Sequence, residues 1–198
     1  MPTPLIIGHR GAAKHCPENT MVSFERAFQS VQAVEFDLWL SRDNVPFIFH
    51  DAKLERTTNG SGYAISKTWK ELQVLDAGVG FDPKQDKTFP FRGQGVKIPR
   101  FEELLEKYAG KYLCVEIKQN SVELVHETLR LLAHSKCLER CVVGSKHHKV
   151  WETMKKFHPD IPRFLSRREI ILNFLDFTRG VSQPADPFAV ASLPVQKQ

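Results

Sequence analysis

The chain reads as an α/β protein, and three observations predict it. From Phe101 onward, apolar strand-like runs alternate with amphipathic helical segments, the pattern of parallel βα units. Before that point, short apolar runs end in imidazoles: Leu5 to Gly8 runs into His9, and Val45 to Phe49 runs into His50. Between them, Val34, Phe36, Leu38 and Leu40 alternate with Glu35, Asp37 and Trp39, the period of a half-buried strand.

In chain order, the first strand ends at His9-Arg10-Gly11. A loop of small and polar residues follows to Glu18, and Asn19 is read as the N-cap of a helix over about 20–30, with Val22, Phe24, Ala27 and Phe28 on its apolar face. The second strand carries Glu35 and Asp37. Two residues apart on a strand, they point to the same face. Adjacent carboxylates repel, and burying them is costly unless something positive lies between them. A hard divalent cation such as Mg2+ or Ca2+, which prefers oxygen ligands, resolves that conflict.

Ser41-Arg42-Asp43-Asn44 is too short for a parallel crossover, so the runs on either side are expected to form an antiparallel hairpin. With the turn centred on Asp43-Asn44, partner numbers sum to about 87, and Asp37 faces His50. The stretch over about 53–97 is irregular apart from a short helix near Thr68 to Leu75; so long a connection reads as a functional insertion. A helix is predicted from Phe101 to Tyr108, and a strand over 111–118 that puts Glu116 and Lys118 on one face. Then come a helix from Ser121 to Ala133, a strand from Cys141 to Ser145, a helix from Val150 to Phe157, a short strand from Arg163 to Ser166, a helix from Arg168 to Phe177 and a weak strand at 188–190.

The 198 residues fit one domain, 1–198, with an atypical end from about 181 that holds three prolines and little periodicity. No apolar run approaches the ~18 residues of a membrane span, so stable membrane insertion is not expected. The N-terminus lacks the features of a signal peptide, and Cys16, Cys114, Cys137 and Cys141 show no C-x-x-C spacing, so a cytoplasmic protein with reduced thiols is expected. The formal charge of +5 favours anionic partners. Lys146-His147-His148-Lys149, the densest basic patch, has no interleaved aromatics and reads as a solvated loop, so no nucleic-acid partner is expected.

His9-Arg10-Gly11, Pro17-Glu18-Asn19-Thr20, Glu35-x-Asp37, and His50-Asp51 followed by Leu54-Glu55-Arg56-Thr57-Thr58 together resemble the glycerophosphodiester phosphodiesterase family. The resemblance continues through Leu75 to Gly78, Ile98 to Glu103 and Glu116-Ile117-Lys118. It implies a TIM-barrel-like fold of the phospholipase-C-like phosphodiesterase type, in which an insertion covers the active-site mouth and polar residues gather at strand ends. About seven strand-like segments are countable against the eight of a closed barrel, so the barrel reads as C-terminally shortened.

The resemblance also implies a metal-dependent hydrolase that releases glycerol 3-phosphate and an alcohol from a small-molecule phosphodiester. Glu35, Asp37 and Glu116 would hold one Mg2+ or Ca2+, His9 and His50 would be the acid–base pair, and Arg10 and Lys118 would bind the phosphate. Two alternatives stand beside it: a catalytically weak barrel that binds metal or phosphate without turnover, and a lysophospholipid-cleaving phosphodiesterase. Asp51 either orients His50 or begins the next turn, and Phe81 and Trp69 are candidates for lining a glycerol or headgroup pocket.

Overall fold

The computed structural model describes residues 6–164 and the backbone of 189–190. The strands are β1 (Ile7–His9), β2 (Ala33–Leu40), β3 (Pro46–Ile48), β4 (Tyr112–Ile117), β5 (Cys141–Gly144), β6 (Arg163–Phe164) and β7 (Ala189–Val190). The helices are α1 (Met21–Phe28), α2 (Trp69–Leu72), α3 (Phe101–Tyr108), α4 (Val122–His134) and α5 (His148–Phe157). Among the described residues the sheet runs β1-β2-β4-β5-β6-β7, every neighbour parallel, with β3 antiparallel on β2. The expected helix from Arg168 to Phe177 lies outside the described residues.

One core lies between the sheet and its helices. Phe36 and Leu38 of β2 pack there with Phe24 of α1, Phe101, Leu104 and Leu105 of α3, and Val115 of β4. Phe36 meets Phe24 edge-on at 5.9 Å and Phe101 at 5.8 Å, contacts that each add about 0.5–1.5 kcal/mol to simple burial. A second, smaller core holds Phe47, Phe49, Leu54, Ala64, Leu72 and Ile98, and anchors the irregular stretch after β3 to the sheet. The face of β2 opposite the helices is left to Glu35, Asp37 and Trp39.

α3 has the bounds its periodicity predicts, and Glu103 closes its first turn by accepting from the Arg100 backbone N–H. α1 is shorter than expected. Its N-cap is Thr20, whose Oγ1 accepts from Ser23 N at 3.3 Å, and not Asn19. Val22 is exposed, not part of the buried face. The basic patch at 146–149 is split: Lys146 and His147 lie in the loop, while His148 and Lys149 open α5, and His147 turns inward to meet the Lys118 carbonyl at 2.9 Å.

The β2–β3 hairpin forms, but its register is one residue from the expected one. Leu38 pairs with Ile48 and Trp39 with Phe47, so Asp37 lies opposite Phe49, not His50. The cause is the turn. Ser41 N bonds Val45 O, leaving a three-residue loop closed by Asn44 in the left-handed region, at φ 62°. Asn tolerates that conformation and a β-branched residue does not. Asn44→Val is therefore expected to destabilise the protein by about 1–2 kcal/mol, and Asn44→Gly to leave it nearly unchanged, as read by urea unfolding.

Candidate active site

The site forms where β1, β2 and β4 run side by side. Their register places His9 beside Glu35 and Asp37 beside Glu116. Aligned residues of neighbouring parallel strands share a face, so all four side chains emerge together. Carboxylate oxygens of Glu35, Asp37 and Glu116 lie within 4.8 Å of one another. Lys118, just past β4, reaches back with Nζ 3.3 Å from Asp37 and 3.2 Å from Glu116. His9 Nε2 is 3.7 Å from Glu35, with its side chain 71% exposed.

The loop after β1 wraps the same carboxylates. Arg10 takes a positive φ of 54° and Gly11 one of 79°, turning the chain so that the Arg10 N–H donates to Glu35 at 3.1 Å. A Cβ on Gly11 would lie 2.5 Å from Ser23 Oγ and 2.7 Å from the Ser23 backbone, so only glycine lets the loop lie this close to α1. The Arg10 guanidinium donates to Glu18 at 3.0 Å and pairs with Asp37 at 3.5 Å. Asn19, buried at φ 56°, donates its amide to Asp37 at 2.8 Å, while its own Oδ1 has no hydrogen-bond partner. Asp37, 1% exposed, thus gathers Arg10, Asn19 and Lys118.

His50 follows β3. Its Nδ1 bonds Asp51 at 2.5 Å, so of the two readings open for Asp51 the structure has the one in contact with the imidazole. Arg56 then joins Asp51 to Glu18, donating to the first at 2.5 and 3.1 Å and to the second at 2.6 and 2.9 Å. These contacts hold Asp51 down to about 2, Arg56's hydrogen bond being the largest cause. Burial pushes the Glu18 carboxyl up, but Arg56 and then Arg10 outweigh it and hold it below the usual range. A cavity of about 160 Å³ adjoins this network, lined by Glu18 and Arg56 together with Phe81 and Asp82 of the insertion. Trp69 does not line it; it packs against the smaller core.

The structure brings His9, Arg10, Glu35, Asp37, Glu116 and Lys118 into mutual contact, and joins His50 to them through Asp51, Arg56 and Glu18, which meets Arg10. Asn19 and Arg56 are additions. Asn19 read equally well as a helix cap, and Arg56 sat in a recognisable motif with nothing local to give it a task.

Without a cation the trio is electrostatically frustrated. Burial, and after it the Asp37 charge, raises Glu35 to about 8, with Glu116 adding to the effect and the Arg10 N–H opposing it. For His9, partial desolvation and then the Arg10 charge lower the pKa, against Asp37 and Glu18, which raise it. Three carboxylates, with the orphaned Asn19 oxygen beside them, form a hard all-oxygen donor set that fits Mg2+ or Ca2+. An acid whose folded pKa is raised stabilises the fold below its ordinary pKa and loses that contribution as pH rises through the folded value. A bound cation must displace the Glu35 proton. Calorimetric cation affinity is thus expected to rise by up to about tenfold per pH unit until about pH 8 and to level off above it.

A parallel α/β sheet with a carboxylate trio and two histidines on its rim defines a TIM-barrel-like protein with an acidic cluster able to hold a divalent cation. The Glycerophosphoryl diester phosphodiesterase family model matches residues 9–196, and the chain belongs to that family. It is similar to a glycerophosphodiester phosphodiesterase of Caldanaerobacter subterraneus, at 31% identity over 163 residues, covering 79% of this chain and 64% of that one. Among solved structures it is similar to the glycerophosphodiester phosphodiesterase of Agrobacterium tumefaciens, with a TM-score of 0.73, 28% identity and coverage of 82% of this chain and 67% of that one. A phosphodiesterase of Oleispira antarctica, determined in complex with the product sn-glycerol-3-phosphate, matches with a TM-score of 0.71 and 29% identity over 87% of this chain and 72% of that one. The chain spans 63%, 64% and 40% of the length of three of the curated bacterial relatives it matches. Among the described residues, no helix is long and apolar enough to cross a membrane.

Proposed function

We propose that this chain, acting as a single domain over 1–198, hydrolyses glycerophosphodiesters to glycerol 3-phosphate and an alcohol with the help of one Mg2+ or Ca2+. One observation carries the reading: the strand register that sets His9 beside Glu35 and Asp37 beside Glu116 on one sheet face. The family match and the product-bound relative support the same chemistry.

Glu35, Asp37 and Glu116 would hold the cation, which when bound offsets phosphate charge and orients the diester. The protein's own groups do the rest. His9, beside Glu35, and His50, paired with Asp51, are the proton-transfer pair, imidazole being the side chain suited to general acid–base work at neutral pH. His50 reaches the substrate through Nε2, because its Nδ1 is held by Asp51. Arg10 brings a planar guanidinium suited to two phosphate oxygens, and Lys118 adds a point charge at the same rim. Four buried, free thiols support a cytoplasmic setting.

The test is release of glycerol 3-phosphate from glycerophosphocholine with Mg2+, with Ca2+ and with a chelator. Cation-dependent release is the expected result. No release by folded, cation-loaded protein, across choline, ethanolamine and glycerol headgroups, would overturn the reading.

A further inference from the structure

We propose that Arg56 is a positioning residue that clamps the Asp51–His50 pair in its working orientation; the inference rests on His50 being part of the proton-transfer pair proposed above. A guanidinium has five N–H donors in a rigid plane. Four of the five are used here: Nε and one Nη2 proton on Asp51, the other Nη2 proton and one Nη1 proton on Glu18. So heavily engaged a side chain is a strut, not a substrate ligand.

Among the described residues, the hydrogen bonds of this strut are the ones that join the loop after β1 to the loop after β3. Glu18 belongs to the loop after β1, where its Oε1 also accepts from Arg10. Asp51 belongs to the loop after β3, where its Oδ1 takes both Arg56 and the His50 imidazole. An aspartate with only one partner could pivot about χ1 and carry the ring with it. Held on both oxygens by a planar fork, it cannot, and His50 keeps one tautomer and one direction. The Trp39 indole N–H bonds the His50 carbonyl at 3.3 Å and fixes the backbone, so the ring is the freedom left for Arg56 to remove. Glu35, Asp37 and Glu116 make no hydrogen bond or ion pair to Arg56. The clamp therefore acts directly on the proton-transfer side and reaches the carboxylate trio only at second hand, through Glu18 and Arg10.

The experiment compares wild type with Arg56→Ala and Arg56→Lys by kcat, KM, calorimetric Mg2+ and Ca2+ affinity, thermal melting, and the proton NMR signal of the His50 Nδ1–H. For Arg56→Ala, kcat per folded molecule is expected to fall about 10- to 100-fold with cation affinity unchanged. The downfield imidazole signal should broaden or shift, and millimolar guanidinium should restore part of kcat. Arg56→Lys keeps the charge without the fork and is expected to stay well below wild type. Three results would overturn the proposal: wild-type kcat in Arg56→Ala, full recovery in Arg56→Lys, or a loss that follows only melting temperature and cation affinity without guanidinium rescue. If wild type itself turns over no glycerophosphodiester, the activity reading falls. The clamp is then decided by the imidazole signal alone, and an unchanged signal in Arg56→Ala removes it.

Discussion

Asp37→Ala is expected to abolish cation binding and turnover together while lowering stability. Asp37 is 1% exposed, and its carboxylate answers the Lys118 ammonium, the Arg10 guanidinium and the Asn19 amide. Removing it takes away one proposed oxygen ligand and one of the two carboxylates that each cation meets, leaving Arg10 on Glu18 and Lys118 on Glu116. Breaking one side of a buried ion pair costs about 3–5 kcal/mol. Part of that cost is offset, because the Asp37 charge is the second-largest cause of the raised Glu35 pKa and its loss lets Glu35 ionise more easily. Asp37→Asn separates the two effects. It keeps the shape and one of the two acceptor oxygens, so it should unfold closer to wild type than Asp37→Ala does, yet still fail to bind Mg2+ or Ca2+ by calorimetry. Wild-type affinity in Asp37→Asn would remove Asp37 from the ligand set.

His9→Ala and His50→Ala are each expected to lower kcat about 10²- to 10⁴-fold, the range for losing a general acid or base. The two should differ in everything else. His9 is largely exposed and its nearest charged partner is Glu35 at 3.7 Å, so its removal should leave the melting temperature alone. His50 anchors Asp51, and removing it leaves that carboxylate held by Arg56 alone. A drop of a few degrees in melting is expected for His50→Ala and none for His9→Ala. Near-wild-type turnover by either variant would take that histidine out of the proton-transfer pair.

Much of this arrangement was legible before any coordinates. The two-residue period of β2 put Glu35 and Asp37 on one face, and the apolar runs ending at His9 and His50 marked strand ends. The hairpin register was not legible, for a physical reason. Phe47, Ile48 and Phe49 are all apolar, since Ile48 enters the main core while Phe47 and Phe49 enter the smaller one. A strand buried on both faces carries no alternation to fix its partner, so the register hung on the turn. One residue of turn length, decided by the left-handed conformation of Asn44, moved His50 out of line with Asp37. Asn19 was hidden differently. Asn and Thr are both good caps, and only the three-dimensional path of the loop shows that Thr20 takes the helix and leaves Asn19 for Asp37.

The pairing of β2 with β4 bears on how the molecule is born. β1 and β2 are joined across about 26 residues and β2 and β3 by a tight turn, so this part of the sheet can assemble early on the ribosome. Asp37 meets Glu116 only after about 80 further residues have been made. Closing so long a loop adds little to the equilibrium cost, because each doubling of length adds only about 0.6 kcal/mol, but it delays the event. During that interval Glu35 and Asp37 already share a face, with Arg10 nearby and Lys118 not yet synthesised. The late strand delivers the third carboxylate and the lysine in a single step. A nascent chain ending before Lys118 thus carries an acidic pair short of its countercharge, and Mg2+ in the medium should speed its collapse more than that of the finished protein.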